Sequence, residues 1–165
     1  MDDEQNAKAG RIMFVLVWVI LFVVLFLVFS YYGKSESVVY KVSASELILS
    51  ANQSGHYGIN GLINDTKVYF LIDTGATTVA IPQQLADKMH LVGRYPVTMM
   101  TANGQITGSL TRLKSLAFGE FVLHDVKAVI IPGNDDGEVL LGMNVLSQFS
   151  INQQGKQLVL KKQQP

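Results

Sequence analysis

The residues best suited to chemistry are Asp73, Thr74 and Gly75, which follow the apolar run Phe70-Leu71-Ile72 and precede Ala76. A carboxylate at the end of a buried apolar strand is held in a low-dielectric place. Gly75 allows a tight turn after it and leaves the backbone N–H open to approach. Thr74 offers a hydroxyl suited to bonding across to a partner loop. A single carboxylate does not run peptide hydrolysis alone. Two that share one proton do, because the ionised member activates water while the protonated one donates to the carbonyl. Taken alone, Asp-Thr-Gly suits an ordinary turn after a strand equally well.

Two further segments argue for the chemical reading. Thr101-Ala102-Asn103-Gly104-Gln105 reads as a hairpin tip, since Asn-Gly is the strongest two-residue hairpin signal. Such a hairpin suits a flap that closes over substrate and excludes water. Val139-Leu140-Leu141-Gly142 echoes the apolar run before Asp73, and is expected to supply a supporting arm, Leu140 to Gly142, that crosses beneath the Asp73 loop. No second Asp-Thr-Gly or Asp-Ser-Gly occurs, and Asp65-Thr66 is followed by Lys67. The length suits about one compact domain plus an appendage. The second carboxylate is therefore expected from another copy, across a two-fold axis between two Asp73 side chains.

The elements that must position these residues read as short strands with turn punctuation. Strands are predicted at 46–50, 57–63, 67–72, 78–81, 95–102, 105–118, 121–124, 126–131 and 158–160. Asn64-Asp65 and Gln154-Gly155 mark turns between them. Two segments read as helical. Pro82 suits a first helical position, with Leu85 and Met89 at i, i+4 spacing, so 82–90 is a short helix. Asn144 is expected to cap a second helix over Val145–Phe149.

Ahead of this lies Ile12–Tyr32, an uncharged run rich in Val, Leu, Ile and Phe. As a helix it reaches roughly 30 Å, about the thickness of a bilayer core. Tyr31 and Tyr32 suit the membrane–water interface. The run exceeds the roughly 7–15 residues of a signal-peptide core, and no Ala-x-Ala site follows, so a retained anchor is expected. The division read from sequence is a cytoplasmic tail over 1–11, a transmembrane helix over 12–32, a stalk over 33–44 and a β domain over 45–165. Arg11 abuts the span, which places the tail inside and the domain outside. Formal net charge is zero, with Lys and Arg scattered, which argues against nucleic acid as a partner. With no cysteines, the fold owes nothing to disulfides. His56, His90 and His124 lack ligand spacing and Asp135-Asp136-Gly137 reads as a solvated turn, so no metal or cofactor is expected.

Phe70–Thr77 together with Leu140-Leu141-Gly142-Met143-Asn144-Val145-Leu146 resembles the retropepsin family of aspartic proteases. It is particularly similar to bacterial single-domain members with an N-terminal transmembrane helix. It runs from Gly55-His56-Tyr57 through both motifs to Leu158–Leu160, and so covers residues 46 to 161. The resemblance implies an all-β fold, a single closed barrel lobe with one or two short helices. It implies that Asp73 is the catalytic aspartate, Thr74, Gly75 and Ala76 its supporting loop, and the segment around Asn103-Gly104 the flap. It also implies a homodimer acting on extended polypeptides, with the domain on the periplasmic side of a bacterial inner membrane. The chain departs from viral members in carrying Thr77-Thr78 where they continue Asp-Asp or Asp-Thr. The rival expectation is an inactive retropepsin-like module used for binding or dimerisation in the cell envelope.

Overall fold

The computed structural model describes residues 2–32, 40–43, 46–101, 104–133 and 137–163. The chain divides into two compact units, residues 1–37 and 38–165. The first unit holds helix α1, Asp2–Tyr32. Its described side chains, 13–28, are all exposed. Among the described residues no helix is long and apolar enough to cross a membrane. The described side chains of α1 fall short of the roughly 20 apolar residues that a span requires. Those of residue 12 and of 29–32, which the expected transmembrane helix includes, lie outside the described ones, as does stalk segment 33–39.

The second unit is built almost wholly of strands: β1 Tyr40–Ser43, β2 Glu46–Ser50, β3 Gly58–Ile63, β4 Thr66–Ile72, β5 Val79–Pro82, β6 Tyr95–Thr101, β7 Gly104–Phe118, β8 Phe121–Ile131, β9 Glu138–Leu141, β10 Phe149–Gln154 and β11 Gln157–Lys162. Two short helices interrupt them, α2 Gln83–Lys88 and α3 Met143–Leu146. Strands β3-β4-β9-β5-β8-β7 run in that order, and β7 pairs back onto β3. This closes a six-strand barrel and removes its sheet edges. Closure depends on Gly61, where a Cβ would stand against the Ala117 carbonyl oxygen and the Phe70 ring. A separate four-stranded sheet, β1-β2-β11-β10, gathers both ends of the unit. Its first strand lies within the stretch expected as a linker, and Val42 pairs with Leu47.

Alternation along the strands separates two apolar clusters. The larger includes Ile59, Phe70, Ile81, Leu113, Val139 and Leu141, joined by Leu47 and Leu160 of the four-stranded sheet. Phe118 is its aromatic centre, with ring centroids 6.3 Å from Phe70, 5.7 Å from Phe121 and 5.6 Å from Phe149. The smaller cluster occupies the opposite face. Ala80, Val129 and Ile131 pack there against Val97, Met99, Ile106, Leu110 and Leu140. Every residue of β5 is consequently buried.

Several local readings need correction. Pro82 ends β5 and stands at the N-cap of α2 rather than at its first helical position. The segments 121–124 and 126–131 form one strand, although Asp125 between them takes φ +54°. Asn144 lies inside α3 and caps nothing. Gly142 is the N-cap, and Phe149 already begins β10. Thr101 pairs with Gly104, so the hairpin connection is Ala102-Asn103 rather than Asn103-Gly104. These two residues lie outside the described ones.

Truncating Phe118 to Ala removes the ring on which the other three pack. A loss of about 3–5 kcal/mol is expected for such a buried aromatic, measured as a lower urea midpoint by far-UV circular dichroism.

Candidate active site

The centre of the site is the loop between β4 and β5. Strand β4 lies parallel to β9, with Phe70 opposite Val139, Leu71 opposite Leu140 and Ile72 opposite Leu141. The echo noted in the sequence is thus a physical pairing of two apolar runs. Where β4 ends, the Asp73 N–H donates to the Leu141 carbonyl at 3.2 Å. On the other side, the Ile72 N–H donates to the Tyr57 carbonyl at 2.8 Å. The residue that carries the carboxylate is therefore held through backbone from both flanks.

The loop is turned by its own hydrogen bonds. The Gly75 N–H donates to Asp73 Oδ1 at 2.8 Å, and the Ala76 N–H donates to the Asp73 carbonyl at 3.3 Å. A Cβ at position 75 would lie only 3.2 Å from Oδ1, so glycine permits this close approach. Asp73 is half-buried, while Thr74 and Gly75 are exposed. The carboxylate is thus oriented on one oxygen and open toward solvent.

The arm after β9 locks the far half of the loop. The Met143 N–H donates to the Ala76 carbonyl at 2.7 Å, and the Asn144 N–H to the Thr77 carbonyl at 3.0 Å. Gly142 makes this approach possible, since a Cβ there would meet the Thr78 carbonyl at 2.7 Å and the Ala76 oxygen at 2.8 Å. The Asn144 side chain completes the lock. Its Oδ1 accepts the Val79 N–H at 3.1 Å, and its Nδ2 donates to the Lys127 carbonyl at 2.8 Å. Sequence reasoning took Asn144 for a helix cap and missed this bridge. The available signal was a side-chain amide, both donor and acceptor, two residues after a glycine that admits a second backbone.

The hairpin β6–β7 covers the face opposite the main core, where Val97, Met99, Ile106 and Leu110, like Leu140 of the arm, pack against Ala80, Val129 and Ile131. Thr101 Oγ1 donates to the Gly104 carbonyl at 2.8 Å and tightens the end of the hairpin. Gly104 takes φ +106°, a conformation that favours glycine. Gln105 follows in β7, paired with Met100, which is 79% exposed. The structure therefore brings Asp73, Thr74, Gly75 and Ala76 together with Leu140, Leu141 and Gly142. It places the described flap residues Thr101, Gly104 and Gln105 on a hairpin whose strands pack against Ala80, Val129 and Ile131.

Nearby on the same face, the Tyr69 ring lies over Gly58. Burial, and next the charge of Glu138, push its hydroxyl above the usual range. It is a neutral donor at physiological pH. The loop, the arm and the two hairpin strands contain one carboxylate between them, that of Asp73.

Replacing Asn144 with Ala strands the Val79 N–H and the Lys127 carbonyl. The expected loss is about 1–3 kcal/mol, read from chemical denaturation. Amide exchange at Val79 is expected to accelerate well beyond the change at core amides.

Residues 59–148, from β3 to just beyond α3, match the family model described as "gag-polyprotein putative aspartyl protease". An uncharacterized protein of Rickettsia prowazekii (strain Madrid E) is 32% identical over 114 residues, 67% of this chain and 48% of that protein. An uncharacterized protein from the cobV 5′ region of Sinorhizobium sp is 25% identical over 124 residues, 73% of this chain and 53% of that protein. The chain thus spans about half the length of the curated relatives it matches. The crystal structure of a retropepsin-like aspartic protease from Rickettsia conorii superposes with a TM-score of 0.63 at 28% identity, covering 76% of this chain and 97% of that one. The family match includes the sequence that forms the Asp73 loop, the arm and the hairpin, and the chain belongs to the retropepsin-like aspartic protease family.

Proposed function

We propose that the chain is a membrane-tethered aspartic endopeptidase that acts as a homodimer, with Asp73 from each copy forming the catalytic pair. The observation that carries this reading is the loop itself. One half-buried carboxylate is oriented through Gly75, clamped by Leu141 and the Gly142–Asn144 arm, and left with an open side. One chain supplies half of a shared-proton pair, and a two-fold axis supplies the other half.

In the pair, the ionised Asp73 accepts a proton from water as the water oxygen attacks the scissile carbonyl carbon. The protonated Asp73 donates to the carbonyl oxygen. Collapse of the tetrahedral species breaks the C–N bond as the departing nitrogen takes the proton that the first Asp73 received from water, while a hydroxyl proton of the gem-diol returns to the second Asp73 and restores the shared-proton pair. The substrate lies extended between the Asp73 loops and the two hairpins, held as an added strand by main-chain hydrogen bonds. The apolar underside of the hairpin supports closure that keeps bulk water from the reacting atoms.

Helix α1 supports the tether: Ile12–Tyr32 is uncharged and lies within one helix. Confinement to a bilayer raises the effective concentration of weakly pairing domains. Arg11 beside the run favours an internal tail, with the protease domain on the outer side of a bacterial inner membrane.

The test is cleavage of an unfolded protein by the full chain and by Asp73→Asn. Loss of at least about 1,000-fold is expected, since the substitution replaces both members of the pair, with an unchanged thermal melt. Equal cleavage by Asp73→Asn would overturn the proposal and leave a binding module.

A further inference from the structure

We infer that Glu138, with Tyr69 beside it, sets a specificity of the proposed protease by taking a Lys or Arg side chain of the substrate a few residues from the bond that is cut. This rests on the protease reading above and deepens it, by naming the class of polypeptide that the Asp73 site accepts.

Strand alternation places both side chains on the face of Asp73. Phe70 and Ile72 of β4 pack into the main core, as do Val139 and Leu141 of β9. With a side-chain period of two, Tyr69, Leu71 and Asp73 project from the other face of β4, and Glu138 and Leu140 from the same face of β9. Pairing sets them in rows, Leu71 beside Leu140 and Tyr69 beside Glu138. Leading away from Asp73, the wall is apolar first and polar next.

The distance along this wall selects the substrate position. From Asp73 to Tyr69 the strand covers about 13 Å at the usual rise. The Tyr69 ring leans back across part of that gap. Tyr69 pairs with Asn60, yet its hydroxyl lies over Gly58, which pairs with Leu71. A Cβ at position 58 would occupy the place of that hydroxyl, so the bare glycine admits the ring. The hydroxyl thus stands about 7 Å nearer the loop than its own backbone. An extended substrate rises by nearly the same step, so the polar row meets a side chain about two to four residues from the scissile carbonyl.

The charge on this wall lacks a partner. Glu138 is half-buried, and among the described residues its side chain makes no hydrogen bond or ion pair; the ion pairs there join Arg112 to Asp125 and Lys161 to Glu46. Lys67 shares the face of Tyr69 but is exposed and makes no pair with Glu138. A carboxylate partly withdrawn from water and left without a counter-charge favours a cation that a ligand brings. The Tyr69 ring beside it suits the methylene stem of Lys or Arg, and its face attracts the cation. Burial keeps the phenol neutral, so it adds no second negative charge. An acidic substrate side chain would be repelled at the same place. The two-fold of the Asp73 pair repeats the wall, so basic residues are favoured on both sides of the cut.

The test maps, by mass spectrometry, the cuts that the full chain makes in an unfolded protein. Lys and Arg are expected to be enriched about fivefold at about two to four residues from the cut. Glu138→Gln should abolish that enrichment while cutting sites without basic residues at the unsubstituted rate. Glu138→Lys should turn the preference toward Asp and Glu. Binding gives a readout that does not need cleavage. Full-length Asp73→Asn is titrated with fluorescent peptides that have an apolar centre and a single Lys, or Glu in its place, at those distances. The Lys peptides should bind about fivefold more tightly, and the difference should vanish when Glu138→Gln is added. Equal binding of the two peptide sets, or a preference that survives Glu138→Gln, would overturn the inference. Cleavage without basic enrichment would likewise reject this specificity while leaving the protease reading intact. Lys-selective binding that depends on Glu138, in a chain that cuts nothing, would support the subsite and count against the catalytic reading alone.

Discussion

The structure depends on holding one short loop from two sides at once. A strand end gives direction to Asp73, and two hydrogen bonds within the turn bend the chain after it, but they offer little resistance to displacement of the turn as a whole. The resistance comes from a segment more than sixty residues later. Leu141 accepts the Asp73 N–H, Met143 and Asn144 donate to the far half of the loop, and the Asn144 amide links Val79 to Lys127. Backbone donors and acceptors on both segments would be costly to bury unpaired. Each segment therefore satisfies the other, and the carboxylate inherits the rigidity of the barrel.

The barrel serves this contact in a specific way. The parallel pairing of β4 with β9 delivers two apolar strands to the same level before either chain turns. Closure through β3 and β7 fixes the circumference, and Gly61 admits the close crossing. Strand β5, which leaves the loop, is buried by the core on one face and by the hairpin on the other. Both exits of the loop thus run into packed strands.

Much of this was legible beforehand, for identifiable reasons. Strands from 46–50 to 105–118 announce themselves by β-branched and aromatic runs between turns, and Asp73-Thr74-Gly75 combines residue types with one strong joint use. The errors fall where tertiary contacts outweigh local signals. Asn144 has the chemistry of a cap, yet its amide is better satisfied by two distant backbone groups. Asp125 reads as a break, but pairing with β7 carries the strand through its positive φ. The Asn-Gly pair predicted the hairpin, while cross-strand registry moved its connection one residue earlier.

By itself the sequence determined the chemical group, one aspartate on a glycine turn after an apolar strand, and the all-β class. Those follow from residue type and short-range periodicity, which do not need a partner to be read. The tertiary structure alone decided that Gly142 must be bare, that Asn144 is a bridge, and that β7 closes back onto β3. These are consequences of which segments meet, and a meeting between distant segments is set by closure of the whole barrel and sheet rather than by any local pattern.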